Sequence, residues 1–328
     1  MARRRISWSA VGVGGSLAAA LGLLAACNVP VPYADDLWFT LDKHQLPVAE
    51  DCRRCHREVV AEWSDSPHAG AWTSKHFTAI TADHSAETCL PCHAPAPIGS
   101  KGEVTLRADH REEGVTCLSC HLLPDASKPL TMRGPHERTS PLEVHPVVVD
   151  DLFLKPELCG TCHADVLEQW RAAPDPEDGS EKEVCQECHM PSVHRTIESY
   201  DPDRPYSRVF VALGEPVDGR RHRFDVPPDP WEDIELETHR DGNRWIVEVH
   251  NNIPHSLPTG AFGQREARVR AGEAMVRFRA DPDQAIPAGE VRRFELEAGP
   301  DAEVVLERRD PRTGEYQRLA PEPEKAEP

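Results

Sequence analysis

CRRCH, residues 52–56, sets two cysteines three positions apart with a histidine directly after the second. The same shape returns as CLPCH at 89–93, CLSCH at 117–121, CGTCH at 159–163 and CQECH at 185–189. The chain has 328 residues and eleven cysteines, and ten of those cysteines stand in these five pentapeptides; the eleventh is Cys27. Successive motifs begin 37, 28, 42 and 26 residues apart, so they are not units of a regular repeat.

Zinc sites, disulfide frameworks and c-type heme all use paired cysteines. Zinc ribbons need no histidine immediately after each pair, and five pairs leave one unmatched. A disulfide framework does not need the histidines either. Heme c needs all three residues: two thiols to bond the porphyrin and the following histidine to reach the iron. The spacing therefore predicts five covalently attached hemes c, on Cys52 and Cys55, Cys89 and Cys92, Cys117 and Cys120, Cys159 and Cys162, and Cys185 and Cys188. The proximal iron ligands are His56, His93, His121, His163 and His189. Five porphyrins would also supply apolar interior to a chain that is only 39% hydrophobic.

The first residues read as an export signal: Arg3, Arg4 and Arg5 precede an apolar run from Ile6 to Leu24. LAAC at Leu24–Cys27 resembles the lipobox of bacterial lipoproteins. That resemblance implies cleavage after residue 26 and acylation of Cys27; the alternatives are an uncleaved anchor or a cut elsewhere. Asn28, not Asp, follows the cysteine, so outer-membrane retention on the periplasmic side is expected. The formal net charge is −19. So acidic a chain is poorly suited to nucleic acid and well suited to docking a basic partner.

The chain thus divides into a lipoprotein signal peptide at 1–26, a linker at 27–50, a pentaheme domain at 51–231, a β-sandwich at 232–312 and a disordered tail at 313–328. The heme domain is expected to be loop-rich and mainly α, with helices at Arg53–Trp63 and Cys162–Arg171, where apolar residues recur on one face. From residue 232 the pattern alternates: Trp245, Val247 and Val249 point one way and their neighbours the other. Similar runs at 233–238, 266–271, 274–280, 290–297 and 302–308, punctuated by turns such as DGN at 241–243, predict a small antiparallel sandwich.

Each iron has a sixth position. Three methionines follow the signal segment, Met132, Met190 and Met275, whereas twelve of the seventeen histidines lie outside the motifs. Mostly bis-histidine coordination follows. CRRCHREVVAEWSDSPHAGAW at 52–72 resembles the opening of the nitrifier tetraheme cytochromes and the wider hydroxylamine oxidoreductase superfamily, as do GVTCLSCH and CQECHMP. The resemblance spans about residues 50–270. It implies that His68 is a distal ligand, to the third heme with proximal His121. His145, in LEVHP, matches a further ligand position. His222 lies in RRHRF. His255 lies in NNIPHSLPTG, which is similar to a phrase of multiheme cytochromes with a C-terminal sandwich, although Ile253 and Pro254 replace the usual residues. The fifth distal ligand is open among His76, His110, His136 and His194. Alternatively one iron has none: in the nitrifier protein the second heme is five-coordinate, and its counterpart here carries His93.

Two functions follow. One is an electron carrier whose partners are redox proteins, a quinol-linked membrane donor or a terminal reductase, with the lipid anchor as its membrane contact. The other is an oxidoreductase acting on a small nitrogen or sulfur compound at a five-coordinate heme. All five motifs end in histidine, which argues against the lysine-ligated pentaheme nitrite reductases.

Overall fold

The short motif turns decide how the first half of the chain folds. In the first motif the amides of Cys55 and His56 both donate to the Cys52 carbonyl, at 3.2 and 2.9 Å. This closes one tight turn and ends helix α1 (Ala49–Arg53) before α2 (Arg57–Ser64) begins. The predicted helix over 53–63 is therefore two helices with His56 at the joint. The fourth motif repeats the device: Cys162 and His163 donate to the Cys159 carbonyl at 3.2 and 2.9 Å, between α6 (Glu157–Gly160) and α7 (Ala164–Ala172). The other elements here are α3 (Lys75–Ile80), α4 (Leu90–His93), α5 (Cys117–His121) and α8 (Cys185–His189), with 3-10 turns at Arg111–Glu113 and Asp151–Leu154.

The structure, a computed structural model, describes residues 46–99, 102–124, 126, 130–137, 145–176, 179–199, 211–224, 233–260, 265–310 and 313–320. Every element described lies in the compact unit Val48–Pro328. The signal segment, Cys27 and His44 lie outside the described residues. So does the expected linker up to residue 45; its end is helical, and Ala49 is buried.

The expectation of a loop-rich, mainly α heme domain is met in part. Among the described residues its longest helix has nine residues, and loops connect most of its elements. Two small ribbons occur as well: β1 (Met132–Gly134) with β2 (Val147–Val149), parallel, and β3 (Ser192–Arg195) with β4 (Val217–Arg220), antiparallel. Irregular backbone leaves carbonyls without ladder partners, and buried carbonyls must be satisfied. Two buried arginines do this. Arg107 donates to the carbonyls of Asp109, Pro95, His110 and Gly114 and to Thr116 Oγ1, at 2.6–3.4 Å. Arg133 donates to the carbonyls of Cys120 and Ile98 and pairs with Asp150 at 3.2 Å.

The C-terminal part follows the alternation rule. Strands β5 (Ile234–Asp241), β6 (Arg244–Asn251) and β9 (Val291–Glu297) form one sheet, and β8 (Ala274–Arg279), β7 (Glu266–Ala271), β10 (Val304–Arg309) and β11 (Tyr316–Arg318) form a second. Pairing is antiparallel throughout, with Leu236 opposite Val249, Val247 opposite Phe294 and Val269 opposite Leu306. These side chains, buried to 8% exposure or less, form one cluster drawn from both sheets. Phe278 and Phe294 join the layers with ring centroids 5.2 Å apart. The DGN turn sits at the β5–β6 hairpin, where Gly242 takes φ +62°.

Of the expected disordered tail at 313–328, the part at 313–320 is corrected, and 321–328 lie outside the described residues. β11 pairs with β10, and Leu319 and Ala320 behind it are buried in the cluster. The segment has a short, charged, weakly alternating sequence, so the reason it orders is the open edge of β10 rather than its own pattern. Leu319→Ala is expected to destabilise the chain by about 2 kcal/mol or more, as for other buried leucines. Thermal unfolding followed in the far ultraviolet measures this; a disordered tail would leave the midpoint unchanged.

Candidate heme-binding sites

Histidines from distant segments meet in pairs. The rings of His56 and His145 have centroids 6.4 Å apart, those of His163 and His68 6.2 Å, those of His121 and His222 6.1 Å, and those of His189 and His255 6.3 Å. Two imidazoles bound to opposite sides of one metal at about 2 Å each have centroids about 6 Å apart. Each pair joins one motif histidine to one histidine outside the motifs. All four of the expected distal residues, His68, His145, His222 and His255, are in such pairs.

The pairing differs from the resemblance in one respect. His68 stands opposite His163 of the fourth motif, and His222 takes the place opposite His121. The cause is local. The Val115 amide donates to the His68 carbonyl at 3.0 Å, and Trp63 Nε1 donates to the Val115 carbonyl at 2.8 Å. The segment leading into the third motif therefore holds His68 by its backbone, with the ring directed to the fourth.

The ring nitrogens are arranged for metal ligation. Nδ1 of His56, His93 and His121 lies 3.2, 2.8 and 2.9 Å from the carbonyls of Ile197, Ala71 and Arg133. His222 and His255 repeat this with the carbonyls of Arg220 and Ser256 at 2.9 and 3.1 Å. A carbonyl only accepts, so Nδ1 carries the proton and Nε2 keeps its lone pair. Burial further disfavours the imidazolium, lowering the basicity of His56, His121 and His255, of His222 to about 4 and of His68 to about 3. Neutral imidazole is the form that binds a metal. His76 Nε2 is buried with no hydrogen-bond partner.

The second motif differs. Phe77 lies flat on the His93 ring, 3.7 Å between centroids and 6° from parallel. Among the described residues no second histidine ring faces His93. Of the candidates for a fifth distal ligand, His110 and His194 approach carboxylates, of Glu112 at 3.4 Å and Asp218 at 2.7 Å, and His136 Nε2 bonds the Asp218 carbonyl.

The ten motif cysteines are free of disulfides. Their thiols approach one another between motifs. Hydrogen bonding between Cys52 and Cys117 raises the first and lowers the second; Cys162 and Cys92, and Cys159 and Cys185, behave likewise.

Several supporting residues carry no motif signal in the sequence. Glu62 accepts two bonds from Arg195, at 2.7 and 2.9 Å, and one from the His222 amide at 3.0 Å. Burial favours its neutral form, but Arg195 and that amide outweigh burial and hold its carboxyl below the usual range. Gln169 on α7 accepts from the Ser256 amide and the Thr259 hydroxyl, at 3.0 and 3.1 Å, fastening the His255 loop to the fourth-motif helix. The fully buried Asn251 donates to the carbonyls of His255, Ile286 and Pro287. Asn251 is the first residue of the NNIPHSLPTG phrase.

Residues 51–122, which contain the first three motifs, match the family described as cytochrome c554 and c-prime. No curated protein matches the chain. Among solved structures, the penta-heme cytochrome c552 from Thermochromatium tepidum is similar, at 16% identity and a TM-score of 0.52, over 84% of this chain and 97% of that one. The chain has the fold of a multiheme cytochrome c. Heme c is the cofactor to which the family match and the fold both point, and the paired, neutral, oriented imidazoles fit it.

Gly114 tests the His68 assignment. It takes φ +63°, and a Cβ there would lie 2.3 Å from the His68 carbonyl oxygen. Gly114→Ala is expected to cost about 2 kcal/mol or more from backbone strain and displacement. In the oxidised holoprotein the variant should also change the electron paramagnetic resonance signal of the heme ligated by His163, the same signal that His68→Ala removes.

Proposed function

We propose that the protein is a pentaheme c-type cytochrome that carries electrons between redox partners. The observation that carries this reading is the set of four histidine pairs at 6.1–6.4 Å. A metal closed on both faces by imidazole exchanges electrons without binding substrate. Heme c would supply the one-electron iron couple. The polypeptide holds the imidazoles opposed, keeps them neutral and sets the proton on Nδ1.

Contacts between motifs support a continuous path. The first motif meets the third through Cys52 and Cys117. Cys120 of the third lies close enough to Cys159 and Cys162 of the fourth to raise both thiols. The fourth meets the second through Cys162 and Cys92, and the fifth through Cys159 and Cys185. The fourth motif is the branch point of this arrangement.

In this reading residues 1–26 direct export, Cys27 carries the lipid anchor, and the cytochrome works at the periplasmic side of an outer membrane. Among the described residues no helix is long and apolar enough to cross a membrane. The acidic surface suits basic faces on a quinol-linked donor or a terminal reductase; nucleic acid is not a partner.

One observation favours a second reading. His93 has Phe77 along its ring and no described histidine opposite. An iron there with an open sixth position would bind small ligands, making the protein an oxidoreductase of a nitrogen or sulfur compound.

Pyridine hemochrome analysis of protein from a maturation-competent host should give five hemes per chain; zinc-loaded or colourless material would end both readings. Electron paramagnetic resonance of the oxidised protein should show low-spin signals from the four paired sites, and His68→Ala should turn one of them high-spin with all hemes retained. A high-spin component in the wild type that shifts on addition of nitrite or hydroxylamine would establish the second reading. A fully low-spin wild type would dismiss it.

A further inference from the structure

Phe224 has a conformation that its residue type disfavours. Its φ is +52°, in the left-handed region, which a bulky side chain disfavours. A turn that needed only this backbone would be served by glycine at lower cost. The side chain must therefore return something, and its surroundings show what. The Phe224 ring lies 4.4 Å from the His68 ring, tilted by 54°. It also lies 5.7 Å from the His222 ring, at 89°, an edge-to-face contact. One phenyl thus touches the histidine opposite His163 and the histidine opposite His121.

The backbone before it is fixed. Glu62 holds the His222 amide, and His222 Nδ1 bonds the Arg220 carbonyl at 2.9 Å. Phe224 is consequently delivered to His68 from a segment already tied to the third-motif pair. Edge-to-face and tilted ring contacts are favourable beyond area burial and offset the backbone strain.

We propose that Phe224 is a positioning residue that orients the imidazole planes of His222 and His68 together, and so forms the mechanical joint between the third and fourth heme sites. The inference rests on the reading of His222 and His68 as axial ligands. It places the joint where the pair of motifs one and three meets the group of motifs two, four and five.

The test uses the full-length holoprotein. Low-spin electron paramagnetic resonance signals report the orientation of axial imidazole planes. His222→Ala and His68→Ala first assign the signals of the third and fourth sites, each by its loss. Phe224→Ala should then shift both assigned signals while the other low-spin signals and the heme content stay unchanged. Phe224→Leu, which keeps apolar bulk without a ring, should do the same, and Phe224→Tyr should restore the wild-type positions. Phe224→Gly should show the Ala spectrum with a melting temperature at or above that of Phe224→Ala, since it removes the strain along with the ring. Unshifted signals in both the Ala and Leu variants, or a shift at one site alone, would overturn the inference. Absence of low-spin signals at these sites in the wild type would instead overturn the ligand assignment beneath it.

Discussion

Opposed imidazoles are the constraint on which the rest of the cytochrome part depends. Two rings that were to share a metal would each have to aim a ring nitrogen at it from opposite sides, and the paired rings come from segments far apart in the chain: 56 with 145, 68 with 163, 121 with 222, 189 with 255. A short helical turn ending in histidine cannot satisfy this alone. Each non-motif histidine needs a backbone anchor of its own, and the structure provides different ones. His68 hangs from the Gly114–Val115 backbone, His222 from Glu62, and His255 from Asn251 and Gln169. The anchors are hydrogen bonds to main-chain atoms, which fix position more strictly than apolar contact.

The two halves of Val48–Pro328 are held together by different physics. The sandwich has a contiguous apolar cluster of alternating residues from both sheets. In the cytochrome part the buried apolar residues, among them Val60, Phe77, Leu118 and Leu167, are scattered over separate short elements. There the guanidinium groups of Arg107 and Arg133 collect carbonyls from several loops. A buried arginine with its donors satisfied does for irregular backbone what a ladder does for a strand. The arrangement suits a region whose proposed interior is largely porphyrin.

The sandwich also serves the site. The buried Asn251 that ends β6 holds the carbonyl of His255 in the loop that follows, and Gln169 grips that loop from the fourth-motif helix. The partner of the fifth-motif histidine is therefore supplied by the all-β part, and the position of that histidine depends on strands far from any cysteine.

The chain's primary structure by itself pointed to the attachment chemistry, because thioether bonding and proximal ligation of heme c would demand three residue types within five positions. It determined the strands too, since a two-layer sandwich writes its inside and outside into every second residue, as in Trp245, Val247 and Val249. It identified the four histidines that pair with motif histidines, but not their partners throughout: His68 meets His163 because Val115 and Gly114 fix its backbone, and no local pattern records which way a ring then points. It missed β11, whose order comes from an open neighbouring edge. It missed Glu62 and Gln169, because an acid or amide that holds a distant main-chain atom has no periodicity and no fixed spacing. Only the tertiary structure, by bringing those segments together, could assign them.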